Sequence, residues 1–97
     1  MEELNSLPGE SQESYLGRYR IYLRQLRYEA ELATLVARNA HRQHLRALSR
    51  NPSHPEVVAL GRVAQEKARA AGIAKGRVDI AEAVLSARTR GTERGTR

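Results

Sequence analysis

At 97 residues the chain is one domain at most, with a net charge of +6 and no cysteine, which excludes disulfides and cysteine-held zinc. No apolar run approaches the ~20 residues that span a bilayer, and the acidic start MEELNSLPGESQES lacks the basic and apolar regions of a secretion signal. The expected location is therefore the cytoplasm, with a nucleoid or an assembled particle as special cases. Four Tyr stand with no Phe or Trp, so the core must be built mainly of Leu, Val and Ala. So small a chain gains from a partner or from a second copy of itself.

Residues 1–10 hold Asn5, Ser6, Pro8 and Gly9 together with Glu2, Glu3 and Glu10, and read as a flexible acidic segment. Two roles are open to it: to fold over the basic helix that follows and compete with an anionic partner, or to remain inert. Ser11 is the expected N-cap of that helix, with Glu13 in the first turn where the helix dipole favours an acid.

The long helix, residues 11–50, carries most of the information. Leu16, Tyr19, Leu23, Leu26, Ala30, Ala33, Ala37 and Ala40 alternate spacings of three and four, the seam of a helix packed lengthwise on another helix. That pattern predicts a coiled-coil-like homodimer interface. A second apolar stripe, Ile21, Tyr28, Leu32 and Leu35, implies that the helix is covered on two sides, one by the rest of the chain and one by a second chain. Residues 15–50 also carry eight Arg against Glu29 and Glu31. Arg20, Arg24, Arg27, Arg38 and Arg42 return to one side turn after turn. Arg grips phosphate and carboxylate through a planar fork and stacks on bases. A GC-rich coding sequence explains the excess of Arg over Lys, but it explains their placement less well. Arg27 and Glu31, four apart, are spaced for a helix salt bridge. Tyr interleaved with Arg in YLGRYRIYLRQLRY suits base stacking, although Tyr15, Tyr19 and Tyr22 lie close to the seam and read first as packing.

The segment SRNPSHP stops the helix at Pro52 and Pro55. A second helix is expected over residues 54–71, with Val57, Leu60, Gly61, Ala64, Ala68 and Ala71 inward and Gly72 as its C-terminal stop. After a short link, a third helix is expected over residues 77–90, with Val78, Ala81, Val84 and Leu85 inward. Residues 91–97 repeat Arg-Gly-Thr and read as a disordered basic tail. The fold class is all-α: one long helix plus a shorter C-terminal helical pair.

Residues 57–88 have the layout of a helix-turn-helix pair, in which Lys75 and Arg77 would approach DNA, although Asp79 and Glu82 put negative charge on the same helix start. Residues 68–87 resemble the DNA-binding segment of actinobacterial nucleoid-bridging silencers, with Lys75-Gly76-Arg77 in the place of that family's basic loop. The resemblance implies a minor-groove contact there. The link is shorter here and the family's aromatic residues are absent, so membership is not assigned.

His41 and His44 are spaced to chelate a metal, but Arg42, Arg46 and Arg50 repel a cation, so no metal or cofactor is expected. No nucleophile elbow, phosphate loop or metal signature is present, so an enzyme is not expected. The expected function is a small arginine-rich nucleic-acid-binding protein, a DNA-binding homodimer of regulatory or nucleoid-associated type. RNA in place of DNA reads equally well. The alternative is a structural or adaptor protein, such as a phage or mobile-element component, that holds an acidic protein partner through the same arginines.

Overall fold

The computed structural model describes the backbone over residues 4–95 and the side chains over residues 4–90. It contains two helices, α1 (Gln12–Arg50) and α2 (Pro55–Gly95), and no strand among the described residues. The Ser11 side chain accepts from the Ser14 N–H at 3.1 Å and caps α1, with Glu13 in the first turn as the dipole favours. At the far end Asn51 is extended, and its N–H still reaches the Ala47 carbonyl. The turn is held by its own polar groups. The Asn51 side-chain oxygen accepts from the Ser53 N–H, and the His54 imidazole accepts from the Glu56 N–H. Pro55 then opens α2, where its missing N–H costs nothing.

The two helices run antiparallel. Arg88 stacks over Tyr15, Arg27 meets Glu82, Arg77 meets Glu29, and Gly61 lies against His44, so the partner number falls as α1 advances. The hairpin is narrow, 66 × 24 × 16 Å. Its core is uneven. Tyr15, Tyr19, Leu23, Leu26 and Ala81 form one buried cluster at the open end, joined by Leu4, Tyr22, Val78, Val84 and Leu85. Tyr15 and Tyr19 meet at 5.9 Å between ring centres, and Tyr19 and Tyr22 meet edge to face at 5.7 Å. Toward the turn the buried positions shrink to Ala30, Ala40, Ala64 and Ala71, with Val57 near the end.

The expected break between a second and a third helix does not occur: α2 passes through Gly72 and Gly76. Gly9 is the glycine with positive φ among the described residues, so Gly72 is not a left-handed helix stop. Each helical Gly costs about 1 kcal/mol relative to Ala. Against that cost, Val57, Ala64, Ala71, Val78 and Leu85 stand seven apart and face α1 without interruption across the two glycines. Continuous packing along α1 outweighs the local penalty.

Structure extends into both terminal segments where they are described, over residues 4–10 and 91–95. The helix continues to Gly95, inside the expected tail. Residues 4–10 fold back onto the first turns of α1. Pro8-Gly9 occupy the centre of a turn closed by the Glu10 N–H on the Leu7 carbonyl, and Gly9 takes φ 75°, as the third position of a type II turn requires. The Tyr15 hydroxyl donates to the Leu4 carbonyl at 2.6 Å, and Arg18 donates to the Asn5 carbonyl at 2.9 Å.

Candidate nucleic-acid interface

The seam assigned by sequence to a partner chain meets α2 of the same chain. Leu16, Tyr19, Leu23, Leu26, Ala30 and Ala40 are buried in that contact, and Ala33 and Ala37 are half-buried. An interchain use of those eight residues would require the hairpin to open. The second stripe is the one left uncovered: Ile21, Tyr28, Leu32 and Leu35 keep 64%, 61%, 44% and 58% of their surface.

The hairpin sorts the basic residues into paired and unpaired sets. Arg18 is clamped to Glu10 by two hydrogen bonds of 2.7 Å, from Nε and from Nη2. The Glu10 side chain retains 5% of its exposure. Hydrogen bonding from Arg18, then from the Leu7 N–H, holds the Glu10 carboxyl at about 2 against an ordinary 4.5, and burial opposes this. The same bond raises the Arg18 guanidinium. Arg27 pairs across the hairpin with Glu82 at 3.0 Å, not with Glu31 one turn away. Arg77 stands 3.8 Å from Glu29. Arg20, Arg24, Arg38, Arg42 and Lys75 are exposed and make no ion pair among the described residues.

Helix geometry places these side chains. At about 100° per residue, Arg20 and Arg38 share one azimuth of α1, and Arg24 and Arg42 share a neighbouring one, each pair five turns or ~27 Å apart. Lys75 and Arg38 line a shallow groove together with Glu31, Ala30, Thr34 and Leu35. Farther along the same flank Arg27, Glu82 and Arg90 line a second shallow groove. One side of the hairpin thus carries basic groups from both helices.

Lys75 and Arg77 lie on different flanks of α2. Sequence placed Lys75 in a link and Arg77 at the start of the next helix; in a continuous helix two residues turn through ~200°. Lys75 faces Arg38, while Arg77 faces Glu29 on the opposite flank. The helix-turn-helix layout and the minor-groove loop of the resemblance are absent for the same reason: residues 72–77 are helical. Sequence reasoning did not foresee that Glu82 and Glu29 pair across the hairpin, or that Arg90 lines the groove beside Arg27. The sevenfold repeat 57, 64, 71, 78, 85 carries straight through the supposed link, and it was the signal of a continuous helix.

Tyr15, Tyr19 and Tyr22 pack in or against the core, which leaves Tyr28 as the exposed ring. His44 is half-buried against Gly61, and no group of three or more His, Asp or Glu among the described residues is placed to hold a metal. No helix among the described residues is long and apolar enough to cross a membrane. Compared with known proteins, the chain matches no family model, no curated protein and no solved structure.

Proposed function

We propose that this chain is a nucleic-acid-binding protein, self-associating and of regulatory or nucleoid-associated type, whose basic flank lies along the phosphates of duplex DNA. One observation carries the reading: Arg18, Arg27 and Arg77 are neutralised within the hairpin, and Arg20, Arg24, Arg38, Arg42 and Lys75 are not. Duplex DNA presents about one phosphate charge per 1.7 Å of axis, so basic groups spread over ~33 Å of a rigid helix, from Arg20 to Arg42, meet it without reordering. Contacts of this kind give affinity without sequence preference. The reading also takes the α1–α2 seam as coiled-coil-like, because its buried positions repeat at three, four and seven.

The test is fluorescence anisotropy with random-sequence duplex across salt. Binding at micromolar levels near ~150 mM salt, with a steep log–log slope, is expected. R20Q/R38Q/K75Q should weaken it about tenfold or more and flatten the slope by about 2–3, while R77Q, on the opposite flank, leaves it unchanged. No binding at ~150 mM salt would overturn the reading. A single-stranded RNA arm in the same assay decides between RNA and DNA.

A second reading, an adaptor of phage or mobile-element kind that holds an acidic protein, is favoured by the exposed stripe Ile21, Tyr28, Leu32 and Leu35 beside the arginines. A saturable stoichiometric complex with one protein, together with feeble DNA binding, would select it.

A further inference from the structure

The outer face of α1 has a charge pattern that draws two arginines of the phosphate reading, Arg24 and Arg42, into a row with two acids. Ile21, Tyr28 and Leu35 stand seven apart, and Leu32 fills the next turn, all exposed. One edge of this stripe is lined by Glu13, Arg24, Glu31 and Arg42, which fall within ~20° of one another around the helix. All four are exposed, and none makes an ion pair among the described residues. Their signs run minus, plus, minus, plus, and their spacings of eleven, seven and eleven are the same in either direction. Read backwards, the row has the same spacing and inverted signs.

We propose that a second copy of this chain docks on this face, antiparallel, about a twofold axis beside Tyr28. This supplies the surface for the self-association named above and rests on that part of the reading. In this register Ile21 lies opposite the partner's Leu35 and Tyr28 packs beside the partner's Tyr28. Arg24 faces the partner's Glu31, Glu13 faces the partner's Arg42, and each pairing occurs twice by symmetry. A parallel twofold copy would put the two rows on opposite edges of the interface, where they do not meet, so the four charge pairs form only in the antiparallel pair. The overlap from Glu13 to Arg42 is about 45 Å long, and the product is a four-helix arrangement with the two α1 helices at its centre. The arrangement accounts for Glu31, which otherwise interrupts a basic stripe. Arg20 and Arg38, one step farther from the stripe, have no acid opposite them in the pair and remain with Lys75 for phosphate.

Sedimentation equilibrium without nucleic acid tests this, so that its failure and the failure of DNA binding are separate results. The wild-type chain should reach a dimeric mass at or below tens of micromolar at low salt. R24E and E31R should each raise the dimer dissociation constant about tenfold or more, because each sets like charges together twice. R24E/E31R should return it to within about threefold of wild type. Both positions are exposed, and unchanged helical circular dichroism confirms that the monomer is intact. A wild-type chain that stays monomeric at hundreds of micromolar, or a double variant no better than the singles, overturns the proposal.

Discussion

The imidazole of His44 closes against Gly61: a Cβ at residue 61 would stand 3.1 Å from the His44 Nε2. That contact is where α1 and α2 approach across the alanine-lined half of the hairpin. Gly61→Ala gains helix propensity of about 1 kcal/mol but forces the ring aside, an overpacking cost of ~1–3 kcal/mol. A net loss of about 1 kcal/mol is expected in urea unfolding. In a His44→Ala background the same change should become stabilising. Stabilisation by Gly61→Ala alone would show that the ring yields freely.

Gly72 provides the contrast. It lies in an unbroken helix, with open space where a Cβ would go. Gly72→Ala should stabilise by about 1 kcal/mol, through helix propensity and a less flexible unfolded chain. A helix that stopped at a left-handed Gly72 would instead be destabilised by the same change, so one melting curve separates the two architectures.

Leu23 and Leu35 test which face of α1 holds the hairpin. Leu23 is 4% exposed in the main cluster, whereas Leu35 is 58% exposed. Leu23→Ala should cost ~2–5 kcal/mol. Leu35→Ala should cost under about 0.5 kcal/mol when measured dilute enough to be monomeric. At high concentration a larger cost for Leu35→Ala would report the second copy.

The N-terminal fold-back should come apart in acid. The Glu10 carboxyl is depressed in the folded chain to about 2 from 4.5, so its contribution to stability is complete above about 4.5 and is lost as pH falls toward 2. Glu10 carboxyl titration by NMR, read with the Arg18 side-chain N–H resonance, should show one transition near the lowered value. Glu10→Gln should remove that transition and leave the α1–α2 core intact. Titration near 4.5 would mean the clamp is not held in solution.

Much of α1 was legible in the sequence. Its span, the Ser11 cap, the seam and the Pro52–Pro55 stop all follow from interactions within a few residues: capping, periodicity and the missing proline N–H. The exposure of the arginines also followed, because their azimuth is set by helix geometry alone. What met the seam did not follow. A helix with two apolar stripes gives no sign of which is covered by its own chain, since the two choices differ only in long-range contacts.

The tertiary structure decided three things. It gave the seam to α2, which left Ile21, Tyr28, Leu32 and Leu35 as the open face. It carried α2 through Gly72 and Gly76, because packing against a 39-residue helix outweighs two local propensity penalties. It also separated Lys75 from Arg77 by the turn of that helix, and took Arg27 and Arg77 into cross-hairpin ion pairs. Sequence alone determined which residues a helix would display. The partner of each face depended on how the chain doubled back, which is a property of the whole hairpin and of no segment within it.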